Sequence, residues 1–429
     1  MASIRKRGNT YQITVSNGRD SNNKQILIME TYCPKAKTPK KIEKEVNDYA
    51  RDLERRVKEG KYFSGETMTF DECVKIWDQE WASKKLTPSI RERYLSTLNN
   101  KISGYIGRLP IAKIKAKHIQ PIYNDMEELG RSASTIHTTH IIINSVFKYA
   151  YRMEIIENNP CDRCFVPKVE QKTYQDIHFF TVDQAKIFLD AISMEFDSDR
   201  SGSRKTIKGA QYDCSGYSQH IKPRQPKLWR AYFYLAVYGG FRRGELIALN
   251  WDRVDFEEME ITIDKSATRT KEEGQTIKKP KTLSSIRTIR LPAECFEVLD
   301  EWRREQLRIW IKMGTAWNSF GDLPEGERPV FTQLDSGKRM DLATPSHKFK
   351  DIIERYNRTV TEEEKKLPGI RLHDLRHTSA TLLLSNHTDI ETVSHRLGHS
   401  KASVTLDVYG HWTKEADETA SQKLAELFG

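Results

Sequence analysis

Alternation of apolar and polar residues near the amino terminus predicts a small antiparallel sheet. Tyr11-Gln12-Ile13-Thr14-Val15 has the two-residue period of a half-buried strand, and Ile26-Leu27-Ile28-Met29 is predicted to be its hairpin partner. Residues 17–24 between them are mostly Asn, Gly, Asp and Ser, which favour turns. A helical period follows, with one apolar face made of Ile42, Val46, Tyr49, Ala50, Leu53 and Val57.

The pattern of residues 66–166 predicts a module of four helices. Thr69 and Glu72 have the spacing of a capping box at the start of the first helix, and Thr87-Pro88 begins the second. The third is expected near 117–128 and the fourth over 132–153, ahead of Asn158-Asn159-Pro160. Aromatic residues at helical spacing in this module indicate core packing.

Beyond a polar, extended linker at 167–178, the pattern predicts a mixed α/β domain over 179–429. Its expected helices begin at Thr181, Leu228 and Arg243, and its strands lie near 254–256, 260–263 and 287–291. Residues 195–227 form a polar insertion that we expect to be a long surface loop. The last hundred residues return to helical periodicity, with an amphipathic tail helix at 413–429. The chain is thus predicted to be a multidomain α+β protein: an N-terminal domain of sheet and helix (1–65), a four-helix domain (66–166), and a mainly helical C-terminal domain with a small β-sheet.

Composition adds a preference for a polyanionic partner. The 429 residues carry a formal net charge of +10, and the first 65 hold 15 Lys and Arg against 8 Asp and Glu. A basic sheet backed by a helix is suited to a DNA major groove, and the candidate contacts there are Arg5, Lys6, Arg7, Tyr11, Arg19 and Lys24. A solvated basic face without a partner remains open as the alternative.

No apolar run reaches membrane-spanning length, and the N-terminus lacks the apolar stretch of a secretory signal. Six scattered cysteines do not indicate a disulfide framework, so a cytoplasmic location is expected. Cys161 and Cys164 have the spacing of half a zinc site, but no second pair lies at a matching distance, so no metal site is expected.

Four segments of the C-terminal domain carry residues suited to phosphoryl chemistry. They are Gly240-Phe241-Arg242-Arg243-Gly244-Glu245-Leu246, a basic segment from Pro280-Lys281-Thr282 to Arg287-Thr288-Ile289 that we expect to be a hairpin, His373-Asp374-Leu375-Arg376-His377, and Leu397-Gly398-His399 followed by Tyr409. Metal-free phosphodiester exchange needs a nucleophile, cations on the non-bridging oxygens and a proton donor for the leaving oxygen. Arginine is the preferred phosphate clamp, and Lys, His and Tyr can transfer protons or attack phosphorus.

In this order, the segments resemble the conserved boxes of the tyrosine recombinase, or phage integrase, family, with most likeness to integrases of temperate phages and conjugative transposons. The resemblance spans residues 239–410. It implies that Tyr409 is the nucleophile, that Arg242 and Arg376 hold the non-bridging oxygens with His399, and that His373 handles the tyrosine proton. It further implies that Lys281 protonates the leaving oxygen, although Lys278 and Lys279 lie within reach. Glu245 and Asp374 are expected to orient the cations, Arg243 to contact the surface or the DNA backbone, and His377 and His411 to be structural.

The same resemblance implies a site-specific recombinase that integrates and excises a mobile element through a 3′-phosphotyrosyl link and a Holliday junction, without cofactor, metal or ATP. Double-stranded DNA with core and arm attachment sites would be its partner, bound by a homo-tetramer. A directionality factor or a host DNA-bending protein is a further partner that the resemblance allows. Gly239-Gly240 departs from the Thr-Gly that is usual before the first arginine, and the 195–227 insertion lies outside the common core. Two alternatives remain open, a type IB topoisomerase and a catalytically silent DNA-binding regulator.

Overall fold

The computed structural model describes residues 2–19, 23–58, 67–169, 178–200, 203–207, 210–214, 217–221, 226–279, 285–317, 327–398, and positions 406, 425 and 428. The chain divides into two compact units, 1–170 and 171–429. The predicted tail helix at 413–429 lies almost entirely outside the described residues. Within the described part of the chain, no helix is long and apolar enough to cross a membrane.

The amino-terminal sheet has three antiparallel strands in the order β1-β2-β3, backed by one helix. The bounds are β1 Ser3–Arg7, β2 Thr10–Arg19, β3 Gln25–Tyr32 and α1 Pro39–Lys58. Ile13, Val15 and Ile28 on the inner face pack with α1 residues such as Leu53, as the sequence predicts. The first strand was not predicted, because all five of its side chains are exposed and it therefore shows no hydrophobic alternation.

The helical part of the first unit starts with the predicted capping box, in which the backbone N–H of Thr69 donates to Glu72 Oε2 at 2.8 Å. The helices are α2 Phe70–Trp77, α3 Ser83–Lys85, α4 Pro88–Thr97, α5 Ala116–Glu128 and α6 Ala133–Arg152. π-Helical segments, 78–82 and 98–107, extend α2 and α4. A core of large apolar side chains that includes Phe70, Trp77 and Phe147 holds them together.

The second unit is built around a largely buried helix, α8 Pro226–Gly239. Other helices pack around it or close the domain: α7 Val182–Ala191, α9 Arg243–Ala248, α10 Ala293–Met313, α11 Thr344–Thr359, α12 Asp374–Ser385 and α13 Ile390–Leu397. A three-stranded sheet in the order β12-β9-β8 is formed by β8 Val254–Asp255, β9 Glu260–Ile263 and β12 Arg287–Arg290. These elements share one apolar core, which includes Tyr232, Phe233 and Trp302.

The structure corrects two of the sequence predictions in this unit. The 195–227 insertion is not a plain loop: β4 Phe196–Arg200 pairs with β7 Tyr217–Ile221, and β5 Ser203–Ile207 pairs with β6 Ala210–Cys214. Two residues, one of them a glycine, separate the paired Ile207 and Ala210, which is the length and composition of a tight hairpin. Polar residues dominate these strands, so hydrophobic alternation did not reveal them.

The basic hairpin also lies earlier than predicted. It is formed by β10 Ser266–Thr270 and β11 Gly274–Lys278, whereas β12 pairs with β9 in the other sheet. Few apolar residues mark β10 and β11, so their alternation is too weak to read from the sequence. Residues 280–284, including Lys281, lie between β11 and β12 and outside the described residues.

Candidate active site

The candidate site is organised by a glycine turn between α8 and α9. Gly240 has φ +58, a conformation that favours glycine. A Cβ at this position would also lie 2.8 Å from Leu397 Cδ2 and 3.2 Å from Ser379 Oγ. The turn therefore needs glycine for both conformation and space, and it delivers Arg242 to the first position ahead of α9.

Arg242 is held at the start of α9 by its own helix and by the end of α13. Its backbone N–H donates to Glu245 Oε2 at 2.8 Å, and Nη1 donates to Glu245 Oε1 at 2.9 Å. Nη2 donates to the carbonyl of Gly398 at 3.3 Å. The side chain is 38% exposed, so its guanidinium is oriented by protein contacts while remaining accessible to a ligand.

Arg376 on α12 lies in the interior and joins the same two segments. Its Nη1 donates to the carbonyl of Gly240 at 2.9 Å, and its Nη2 donates to the carbonyl of Leu397 at 2.5 Å. The residue is 4% exposed. Three of the sequence segments singled out for their chemistry thus converge on one point, through the main chain of the glycine turn and of the α13 terminus.

The end of α13 has a left-handed cap at Gly398, with φ 64 and ψ 48. A Cβ there would lie 2.8 Å from Arg287 Nη1. This close approach places the Leu397-Gly398 backbone against Arg287 as well as against Arg242 and Arg376. His399, the next residue, lies outside the described residues, as do Lys281, Tyr409 and His411.

Glu245 is a buried carboxylate shared by two arginines. Besides its bonds to Arg242, it accepts from Arg287 Nη1 at 3.1 Å and from Arg287 Nη2 at 2.8 Å. Burial favours a raised pKa for Glu245, but the hydrogen bonds and charge of Arg287, with the charge of Arg242, outweigh burial and hold the pKa below its ordinary value. The carboxylate is therefore ionised and fixed on both oxygens.

His373, at the amino end of α12, has an accessible imidazole beside positive charge. Desolvation and the charges of Arg376 and Arg242 lower its pKa, and Asp374 opposes them only in part. Its ring packs edge-on against His377, with 5.5 Å between centroids. The His373 imidazole is therefore neutral near pH 7 and able to accept a proton.

Asp374 is buried and bonds Arg371, not Arg242 or Arg376. It accepts from the backbone N–H of Arg371 at 2.8 Å and from Nη2 of Arg371 at 2.9 Å. These bonds fix the turn that precedes α12. Any orienting effect of Asp374 on the site therefore passes through this turn and through His373.

The other predicted contact residues are exposed or have partners of their own. Arg243 is exposed and donates to Ser346 Oγ at 3.0 Å. Lys278 at the end of β11 forms a 2.9 Å ion pair with Glu273. Four basic residues of the amino-terminal domain are exposed: Arg5, Lys6, Arg7 and Lys24. The Lys6 Nζ atom lies 5.9 Å from the Tyr11 ring centroid. Arg19 donates to the carbonyl of Asn23.

Arg287 is the residue that sequence reasoning missed as part of this site. Its side chain has no exposed surface, although arginine is rarely buried. The signal was available: Arg287, Ile289 and Leu291 alternate on the inner face of β12, so an arginine occupies a position where the pattern calls for an apolar residue. A charge at such a position indicates a buried partner.

A cleft of about 890 Å³ opens beside Arg242 and His373. Its walls are largely apolar, with Phe241, Phe349 and Ile353 among them, and Arg243 and Lys350 add positive charge. Among the residues that the structure describes, no group of three or more His, Cys, Asp or Glu is arranged to hold a metal ion. The described part of the site thus offers arginine, histidine and main-chain groups for a phosphate.

Two protein-family models match the chain. The model described as "Phage integrase family" matches residues 219–416, which include the glycine turn, Arg376 and Tyr409. The model described as "Phage integrase central domain" matches residues 70–164, the helical part of the first unit.

Full-length relatives are similar in overall extent. A tyrosine recombinase XerC-like protein of Caldanaerobacter subterraneus subsp. tengcongensis is 27% identical over 97% of this chain and 96% of its own length. The ICEBs1 integrase of Bacillus subtilis is 26% identical over 97% of both chains. Among solved structures, the integrase of transposon Tn1549, in complex with a circular intermediate DNA, matches with a TM-score of 0.61 at 21% identity, covering 83% of this chain and 99% of that one.

Proposed function

This chain belongs to the phage integrase family, and on that premise we propose that it is a site-specific DNA recombinase that integrates and excises a mobile genetic element. It acts as a tyrosine recombinase, cutting and rejoining DNA strands through a covalent protein–DNA link. The energy of each broken phosphodiester bond is retained in that link, so the reaction needs no ATP, metal or other cofactor.

In the proposed reaction the Tyr409 oxygen attacks the scissile phosphorus, forms a 3′-phosphotyrosyl ester and releases a 5′-hydroxyl. Arg242 and Arg376, with His399, stabilise the negative charge on the non-bridging oxygens. His373 takes the tyrosine proton, which its lowered pKa permits near neutral pH. Lys281 protonates the leaving 5′-oxygen. A second round of the same chemistry resolves the Holliday junction.

One observation carries this proposal: Arg242 and Arg376 are both fixed to the main chain at the end of α13. Arg242 bonds Gly398 and Arg376 bonds Leu397 and Gly240, so two cations separated by over a hundred residues in sequence share one rigid frame. Fixed cations lower the barrier to phosphoryl transfer, because no reorganisation is needed as charge develops. Cations held rigidly in this way favour a catalytic role over DNA binding alone.

The proposal extends to partners and to the parts of the chain. We assign arm-site binding to residues 1–65, core-site binding to 66–166 and catalysis to 179–429, with 167–178 as the linker. A homo-tetramer brings two DNA sites together, and a directionality factor or host DNA-bending protein selects integration or excision. Because the proposed substrate is DNA, we expect the protein to be associated with the nucleoid in a bacterial cytoplasm. Solved DNA complexes of the similar Tn1549 integrase support the DNA partner.

The test is covalent trapping on a nicked suicide duplex. Bound sequences would first be selected from a random duplex library with Tyr409→Phe, then synthesised with a nick beside the scissile phosphate. Wild type and Tyr409→Phe would be compared on a denaturing gel. A slowly migrating protein–DNA band in the wild type alone is the expected result.

Three other outcomes would contradict the proposal in whole or in part. Binding by both proteins without a band in either favours a DNA-binding regulator. A band together with relaxation of supercoiled plasmids lacking the selected site favours a type IB topoisomerase. A band that persists in Tyr409→Phe would show that another residue is the nucleophile.

A further inference from the structure

Arg287 lies where the glycine turn, α9 and the end of α13 meet, and we propose that it is a positioning residue for Arg242 and for the Leu397-Gly398 backbone. The inference rests on the proposed function, since it concerns how that same site is held in its active geometry. It adds a residue that does not itself reach the DNA phosphate.

All three nitrogens of the Arg287 guanidinium donate hydrogen bonds. Nη1 and Nη2 form a two-pronged contact with the Glu245 carboxylate, at 3.1 and 2.8 Å. Nε donates to the carbonyl of Arg396 at 2.7 Å, and Nη1 also reaches the carbonyl of Ser285 at 3.3 Å. The guanidinium is thus bonded in three directions, to α9, to α13 and to the residues just before β12.

Two residues that touch Arg287, Glu245 and Gly398, in turn hold Arg242. Glu245 receives both the backbone N–H and the Nη1 of Arg242. Gly398, which leaves no room for a Cβ beside Arg287, supplies the carbonyl that accepts from Arg242 Nη2. Removing Arg287 would therefore loosen Arg242 through two separate routes.

The Arg287 side chain is fully buried. With no exposed surface, the Arg287 side chain is shielded from solvent phosphate and from DNA in this structure. Its guanidinium also lies 5.7 Å from the Phe241 ring, inside the glycine turn. Arg287 thus acts through other residues, because it is enclosed on the protein side of the site.

A positioning role and a merely structural role make different predictions. Loss of Arg287 leaves the buried Glu245 carboxylate with Arg242 as its remaining cation and destabilises the fold in either case. Only a positioning role lowers the rate of strand cleavage in protein that is still folded and already bound to DNA. The informative quantity is therefore the single-turnover cleavage rate at saturating protein, at a temperature where thermal unfolding shows each variant to be native.

The variants are Arg287→Met, Arg287→Lys, Glu245→Gln and the double variant Arg287→Met with Glu245→Gln. Arg290→Met is the matched control, because Arg290 lies on the same strand but faces solvent, paired with Glu258 and 65% exposed. The probe is the nicked duplex selected with Tyr409→Phe, and wild type and Tyr409→Phe are run beside the variants.

We expect Arg287→Met to cleave on the order of 10- to 100-fold more slowly than wild type, with unchanged DNA affinity. Arg287→Lys should be intermediate, because one ammonium keeps the charge but cannot make the two-pronged contact. If Arg287 acts mainly through Glu245, the double variant should be no slower than Arg287→Met alone. Arg290→Met should match wild type.

The pH profile gives a second readout, which serves even if only Arg287→Lys folds. Arg287→Lys has weaker contacts to Glu245, so the pKa of the buried Glu245 carboxyl should be higher than in wild type. Cleavage by Arg287→Lys should therefore fall on acidification at a higher pH than cleavage by wild type. Cleavage by folded Arg287→Met or Arg287→Lys at the wild-type rate and with the wild-type pH profile would overturn the inference while leaving the proposed function intact. Failure of wild type itself to form the adduct would overturn both.

Discussion

Three arginines near the candidate site differ in what surrounds them. Arg242 is 38% exposed, whereas Arg287 is fully enclosed and Arg376 is buried. Main-chain carbonyls at Gly240, Leu397 and Gly398 accept from Arg242 or Arg376, so these contacts depend on backbone shape more than on side-chain identity. Positions 240 and 398, both at positive φ, set that shape.

Replacing Gly240 by Ala should reduce the rate of strand cleavage far more than a glycine-to-alanine change that causes equal backbone strain elsewhere in the chain. The matched control is Gly274→Ala, because Gly274 also has positive φ (+68) but open space around its Cβ position. Each change should lower the free energy of unfolding by about 1 kcal/mol from strain. Only Gly240→Ala pushes on Leu397 and shifts the carbonyl that Arg376 uses, so only it should slow single-turnover cleavage.

Chemical denaturation and the suicide-substrate assay measure the two effects separately. Equal loss of cleavage in both glycine variants would contradict a specific role for the turn.

His377 should make stability depend on pH in the mildly acidic range. Burial, with the charge of neighbouring His373, lowers the pKa of His377 from 6.5 to about 4. Below pH 6.5 the unfolded chain therefore binds a proton that the folded chain does not take up until about pH 4, so the free energy of unfolding falls as pH decreases through this window.

His377→Gln should flatten that decline, which urea titrations at several pH values between 4 and 7 would show. His373 contributes to the same window in both proteins and sets the residual slope. An identical pH dependence in wild type and variant would contradict the lowered pKa.

The sequence predicted the motif residues Arg242, Arg376 and His373 because their spacing in recognisable segments is local information. It did not reveal that Arg287 and Glu245 pair, since 42 residues separate them and only the fold brings them together. It also did not reveal that Asp374 bonds Arg371. The catalytic roles of all six residues, Lys281, His399 and Tyr409 included, stay predictions.

At the scale of elements, the period of apolar residues predicted most helices and the strands with one buried face. It failed for β1, for β10 and β11, and for the strands of the 195–227 insertion. The sequences of most of these strands show no regular alternation of apolar and polar residues, so main-chain pairing defines them without a clear hydrophobic pattern. Strands of this type become visible only when the partner strand is known.

The outer face of the amino-terminal sheet should contribute electrostatically to DNA binding. Arg5 and Arg7 alternate on β1, paired with Gln12 and Thr10, and both are exposed. Arg5→Ala with Arg7→Ala should weaken arm-site binding and reduce the slope of log affinity against log salt by about one unit per lost phosphate contact.

Arg55→Ala, an exposed change on α1 with a side chain 67% exposed, is the matched control. Fluorescence anisotropy with a labelled duplex over a range of salt concentrations measures both slopes. A slope that changes as much in the control as in the sheet variant would contradict a role for the sheet.

For the whole molecule, basic charge is concentrated at one end of the chain. The first 65 residues hold 15 Lys and Arg against 8 Asp and Glu, while the entire chain has a formal net charge of +10. The remainder is nearly balanced, so the catalytic unit relies on a few placed cations and not on a strong overall field.

Strand cleavage should be insensitive to chelators. In the proposed mechanism, Arg242 and Arg376 supply the charge that a metal ion supplies in other phosphoryl-transfer sites. Cleavage rates measured with EDTA and with added Mg²⁺ should agree once ionic strength is matched. A loss in EDTA that Mg²⁺ restores would contradict the arginine-based mechanism.

The sharing of Glu245 between two arginines has an electrostatic consequence for catalysis. Arg242, Arg287, Arg376 and Glu245 together carry a net charge of two positive units. A phosphodiester in DNA is a monoanion, whereas the pentacoordinate phosphorane formed when a deprotonated tyrosine attacks it is a dianion. In the proposed mechanism the second negative charge of the phosphorane therefore develops beside a cluster that keeps a net positive charge, which favours the dianion over the DNA from which it forms.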